Sequence, residues 1–101
     1  MIHIINQLFE IEQKLKNRLE TGTERNFKRL YHELEQLGYQ VIDPVGRPYK
    51  ETDTDLEATL SGDLRGELKI TRVLKPVIYY REAGAFTQLM QKGIVIIEGV
   101  N

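Results

Sequence analysis

Along residues 4–19 the apolar side chains Ile4, Leu8, Ile11 and Leu15 recur at spacings of four, three and four, and Ile5 and Leu19 widen the stripe. This is the period of an amphipathic helix with one apolar seam. Glu10, Glu12, Lys14, Lys16, Arg18 and Glu20 fill the other faces, and Glu10 precedes Lys14 by four residues, the favourable order for an ion pair on a helix. Thr21-Gly22-Thr23-Glu24 interrupts the pattern, and Thr21 with Glu24 has the form of a capping box opening a second helix. That helix runs to about Leu37 on a seam of Phe27, Leu30, Leu34 and Leu37, with Tyr31 alongside, and Gly38 stands where a left-handed C-cap is expected. The two seams do not share a heptad phase, so the segment is either a helical hairpin or one helix broken near Gly22.

Beyond Gly38 the period changes from helical to extended. Tyr39, Val41 and Ile42 lead to Pro44, and Gly46-Arg47-Pro48 reads as a turn. Leu56, Ala58 and Leu60 alternate, residues 64–73 alternate through Leu68 and Ile70, and residues 76–81 are a β-branched and aromatic run. Glu82-Ala83-Gly84 turns the chain, and residues 86–90 and 93–98 form a final pair joined at Gln91-Lys92-Gly93. The expectation is an α+β protein in which N-terminal amphipathic helices, residues 1–38, precede a small, mostly antiparallel β domain, residues 39–101. Under forty residues of helix cannot bury both seams alone. Part of that surface is expected to meet the sheet or a second copy of the chain, giving a homodimer whose contacts are Leu8, Ile11, Leu15, Phe27, Leu30 and Leu34.

With 101 residues the chain fits one small domain with a modest core. Its 14 Lys+Arg against 15 Asp+Glu exert no bulk pull toward nucleic acid or anionic lipid. The absence of cysteine excludes disulfides, thiolate metal sites and a cysteine nucleophile. No apolar run is long enough to span a membrane and the first residues lack a secretory pattern, so a cytoplasmic location is the default.

Catalytic and metal-binding signals are weak throughout. His3 and His32 lie on different helices away from any ligand cluster, and Ser61 lacks a nucleophile elbow. No glycine-rich phosphate loop is present; Gly62, Gly66, Gly84, Gly93 and Gly99 are scattered as turn and bulge residues. Glu51, Asp53, Asp55 and Glu57 recur at every second position and would line one face of an extended segment. They lack the glycine and distal glutamate of a calcium loop and read as a solvated acidic loop. No enzyme activity, cofactor or metal is expected. The one mixed basic and aromatic strip is Lys69, Arg72, Lys75 and Arg81 with Tyr79 and Tyr80. Tyr and Arg favour protein interfaces, and a partner face is expected from Arg47, Lys50, Arg65, Lys69, Arg72, Lys75, Tyr79 and Tyr80.

The residues Leu34-x-x-x-Gly38-x-x-x-Ile42-x-Pro44-x-Gly46-x-Pro48-Tyr49, followed by Asp53, Asp55 and Leu56-Glu57-Ala58, resemble the GrpE family of nucleotide exchange factors for Hsp70 chaperones. In that family a leucine-rich helix end runs through L-x-x-x-G-x-x-x-I-x-P-x-G-x-P-F into an acidic loop and H-E-A. Leu56 stands where the family has histidine, and Lys92-Gly93 where it has a closing Arg-Pro pair. The resemblance implies a dimer paired through helices. It also implies a β domain that wedges open the nucleotide cleft of an Hsp70-type ATPase and speeds ADP release. The alternative is a non-catalytic interaction or assembly module with a different partner. Either way the rigid proline and glycine connector of residues 38–49 is expected to hold the sheet at a set angle to the helices.

Overall fold

The computed structural model describes residues 1–100. Helix α1 spans Ile2–Asn17 and α2 spans Glu24–Gln36; strands follow as β1 (Tyr39–Ile42), β2 (Leu56–Leu60), β3 (Glu67–Lys75), β4 (Val77–Tyr80), β5 (Gln88–Gln91) and β6 (Gly93–Val100). The α+β arrangement expected from the two periodicities is the one observed, and the helices form a hairpin.

The end of α1 is a reversal made without glycine. Leu19 adopts φ +57°, its N–H bonds to the Lys16 carbonyl, and the Glu20 N–H reaches back to the Leu15 carbonyl at 3.0 Å. These are the paired bonds of a Schellman motif. Leu19 therefore lies past the helix, 87% exposed, and does not widen the seam. The reversal carries the chain to Thr23, which opens α2 with no side-chain capping bond. The capping box expected from Thr21 and Glu24 does not form; Glu24 bonds the Thr21 carbonyl through its backbone N–H, and its carboxylate favours the positive end of the helix. At the far end of α2, Gly38 takes φ +97° as expected. A Cβ there would lie 2.6 Å from the Arg81 carbonyl oxygen, so the close approach of α2 to β4 needs glycine as much as the backbone angle does.

The strands form two three-stranded sheets, with orders β1-β4-β5 and β2-β6-β3. The first is antiparallel throughout. In the second, β6 lies between an antiparallel β3 and a parallel β2. The expected final hairpin is absent: β5 and β6 follow one another in sequence yet lie in different sheets. Lys92 alone separates β5 from β6, too short a link for a hairpin turn, and the chain crosses between layers there.

Period-two alternation sorts the first sheet into two faces. Tyr39, Val41 and Ile78 point to the helices and pack with Ile5 and Leu34. Ile42, Val77 and Tyr79 point the other way, against Leu56, Ile70, Val95 and Ile97 of the second sheet. The order of layers is helices, first sheet, second sheet. The helices share one apolar cluster with the first sheet, and a second cluster lies between the two sheets.

Helix α1 buries a stripe adjacent to the expected one. Ile5 and Phe9 are fully enclosed, while Ile4 and Ile11 are 58% and 47% exposed. Ile2, Ile5 and Phe9 form their own three-and-four spacing about a quarter turn round the helix, and the larger Phe9 ring fills more of the space beside the sheet. Leu19→Gly should raise stability by about 1 kcal/mol, because glycine removes the left-handed penalty at an exposed position. Gly38→Ala should lower it by at least about 1 kcal/mol. Urea midpoints with unchanged m-values check both.

Candidate partner-binding face

In an uninterrupted strand Lys69 and Arg72, three residues apart, would point to opposite faces. In β3 they do not. Register breaks between Ile70 and Arg72 and between Val73 and Lys75 skip Thr71 and Leu74, so that Lys69 faces Glu98, Arg72 faces Ile96 and Lys75 faces Ile94. Each bulge inserts one residue and resets the alternation. Strand β6 alternates without interruption: Val95 and Ile97 are buried, Ile94, Ile96 and Glu98 half-buried. All three cations therefore stand on the outer face of the second sheet, beside Ile94 and Ile96. Glu57 and Thr59 of β2 complete the face, opposite Ile94 and Ile96.

The edge of β3 is covered by the connector. The Gly46 N–H bonds the Ile70 carbonyl at 2.7 Å, the Ile70 N–H bonds the Arg47 carbonyl, and the Tyr49 N–H bonds the Leu68 carbonyl. Pro48, which has no N–H, bridges Lys69. The connector thus serves as a short extra strand on β3. It is anchored through Arg47, whose Nη2 lies 3.2 Å from Asp55 Oδ1 and 4.0 Å from Asp53 Oδ2. The acidic stretch is consequently a turn closed on Arg47, not an extended row of carboxylates; Asp53 also accepts the Lys50 N–H at 3.2 Å.

The residues expected at the partner face are only partly brought together. Lys69, Arg72 and Lys75 share one surface. Arg47 is held by Asp55, and Arg65 is held by Asp63 in the next loop at 2.7 Å; that guanidinium keeps the Asp63 carboxyl below its ordinary range. Lys50 is exposed at the start of the acidic turn. Tyr79 packs into the core between the sheets, whereas Tyr80 lies against Tyr39 with ring centroids 4.7 Å apart. Adjacent in sequence, they point to opposite sides of the sheet. Of the helical residues, Phe27 and Leu34 are buried within the chain, Leu8 and Leu15 are half-buried, and Ile11 and Leu30 are exposed.

An apolar projection escaped the sequence reading. Phe86, 93% exposed, stands in the loop between β4 and β5, with Leu89 and Met90 exposed on β5 itself. Residues 83–91 contain no charged side chain, a signal that period-two counting passes over.

The helical hairpin is tied by a polar contact: the Tyr31 hydroxyl donates to Glu12 Oε1 at 3.0 Å. Burial, followed by the charge of Glu12 and this hydrogen bond, pushes the phenol well above its ordinary pKa. No protein-family model, curated protein or solved structure matches this chain.

Because the folded state retains the Tyr31 proton more tightly than the unfolded chain, this group stabilises the fold fully below the unfolded phenol pKa of about 10, and the contribution is lost as pH rises beyond it. Tyr31→Phe should cost about 1 kcal/mol at neutral pH through the lost bond to Glu12. It should also flatten the fall in stability above about pH 10. Urea titrations from neutral to alkaline pH check both.

Proposed function

We propose that this chain is a non-catalytic adaptor that binds a protein partner through the outer face of its second sheet. The partner proposed is an Hsp70-type ATPase, whose nucleotide release the chain promotes. The observation carrying this reading is the alignment of Lys69, Arg72 and Lys75 beside Ile94 and Ile96 by two bulges. A basic row next to a half-buried aliphatic pair supplies electrostatic steering together with apolar area, the combination that specific protein contacts use. The GrpE-like stretch at residues 34–58 directs the choice of partner, and the bonding of its Gly46–Tyr49 portion to β3 supports a role for that stretch in fixing the face.

The mechanism needs no bond made or broken by this chain. A rigid face that binds the open form of a nucleotide cleft more tightly than the closed form shifts the equilibrium by that difference in affinity, and bound ADP leaves from the open form. Self-association through α1 belongs to the same proposal. Ile4, Leu8, Ile11 and Leu15 keep the spacing of a helix-pairing seam, and Ile4 and Ile11 are left exposed by the chain's own packing.

The test is the rate of fluorescent ADP release from an isolated Hsp70 ATPase domain. The wild-type chain should accelerate it, and Lys69→Gln with Lys75→Glu should weaken binding at least tenfold, about 1.4 kcal/mol, without moving the unfolding midpoint. Absence of any binding to the ATPase domain would leave the chain as an assembly module for another partner. For self-association, Ile11→Lys should reduce the mass measured by light scattering to that of one chain; a mass unaffected by this change, at either one chain or two, removes the α1 seam from the contact.

A further inference from the structure

Among the described strands, β1 is the one whose free edge carries no protection. The edge of β3 is covered by residues 46–49, β5 breaks register against β4, and the edge strand β2 carries Glu57. Covering segments, bulges and charges are the usual means by which an edge is kept from pairing. Tyr39–Ile42 has no charge, no proline and an unbroken ladder with β4.

The phase of that ladder fixes which backbone groups are left over. The Arg81 N–H bonds the Gly38 carbonyl, so antiparallel alternation turns the backbone groups of Gln40 and Ile42 toward β4 and those of Tyr39 and Val41 outward. No turn or connector bond takes up the outward groups among the described residues. Beside this edge α2 and β1 enclose a cleft of about 420 Å³, within the range of ligand sites. Lys28, Tyr31, His32 and Glu35, on one face of α2, form one wall, and Tyr39, Gln40 and Val41 form the other. Lys28 and Glu35 have no ion pair among the described residues and stand about 10 Å apart along the helix. Glu35 shares a recess with Gly38 and Tyr39, and Tyr31 shares another with Val41 and Asp43. The Glu35 end of α2 therefore lies over Tyr39, and the Lys28 end lies beyond Val41.

We infer that this cleft takes an extended peptide segment of another protein as a fourth strand on β1. Main-chain bonds to Tyr39 and Val41 attach it, and its alternate side chains, facing α2, supply the specificity. An antiparallel addition continues the pattern of the first sheet. Run that way, the segment passes Lys28 first and Glu35 last, so the side chains facing α2 are, in chain order, acidic, apolar against Tyr31 and Val41, and basic. A second copy of this chain does not fit. Adjacent strands lie about 4.8 Å apart, and two-fold pairing of β1 would bring together two α2 helices, each packed on its own β1, closer than the separation of at least about 8 Å that packed helices need. The site is on the first sheet and is independent of the face formed by Lys69, Arg72 and Lys75 on the second.

The experiment is NMR titration of the 15N-labelled full chain with acetyl-Glu-Thr-Val-Thr-Lys-amide, with the same peptide N-methylated at its valine, and with acetyl-Lys-Thr-Val-Thr-Glu-amide. The first peptide should shift the backbone amides of Tyr39 and Val41. Methylation of the central nitrogen, whose hydrogen faces β1, should weaken binding at least about tenfold, and exchange of the charged ends should weaken it about threefold. Lys28→Glu with Glu35→Lys, both at exposed positions, should invert the preference between the two charge orders without moving the urea midpoint; if that double variant does not fold, the peptide comparisons on the wild-type chain decide alone. The inference is overturned if Tyr39 and Val41 do not shift, if the methylated peptide binds equally well, if the two charge orders bind alike, or if the folded double variant keeps the original preference. Shifts of Tyr39 and Val41 on concentrating the chain without peptide would place a second copy on the edge and overturn it as well.

Discussion

The side-chain amide of Gln91 holds the corner on which both sheets turn. Its Nε2 donates to the Pro76 carbonyl at 2.9 Å and to Asn6 Oδ1 at 2.8 Å, and its Oε1 accepts from Asn6 Nδ2 at 2.8 Å. One residue thereby joins α1, the end of β5 and the link between β3 and β4. The chain changes sheets twice at this corner, through Pro76 and through Gly93. Proline suits the first crossing because a strand ladder stops there and no N–H is left over. Glycine suits the second because a Cβ would come within 2.9 Å of Val77 and 3.0 Å of Leu56. With both crossings set, the second sheet can lie only where Val77 and Tyr79 meet Val95 and Ile97.

That placement explains why the outer face belongs to β3 and β6. The inward residues of β6 are committed to the core, so Ile94, Ile96 and Glu98 point outward, and the bulges of β3 deliver its cations to the same side. The connector then covers the first half of β3, and α1 approaches the second half. An edge strand that would otherwise invite pairing with other chains is thus shielded along its length by two different devices. Arg47 matters here as an anchor: its contact with Asp55 keeps residues 46–49 in place against the strand.

Much of the element order was legible from periodicity. The helical period broke where glycine or a left-handed turn was needed, and runs of Val, Ile and Tyr marked the strands to within a few residues. The buried stripe of α1 was not legible, because two apolar stripes share that helix and only the partner surface decides between Ile4 with Ile11 and Ile5 with Phe9. The common orientation of Lys69, Arg72 and Lys75 was hidden for a related reason. It depends on bulges, which are set by the neighbouring strand and leave no fixed mark in composition. The separation of Tyr79 from Tyr80, by contrast, follows from simple alternation once the strand is assigned.

The central place of β6 has a consequence for the growing chain on the ribosome. Strands β2 and β3 each pair with β6 and not with one another, so apart from the connector's bonds to β3 the second sheet is not assembled until the last of the six strands has been made. The helices and the three strands of the first sheet are all synthesised earlier, and they can associate while β6 is still to come. In that interval Ile42, Val77 and Tyr79 have no covering layer. The nascent protein therefore passes through a stage in which one face of a formed sheet is bare, and the speed with which residues 93–100 emerge and insert sets how long that face is exposed to aggregation.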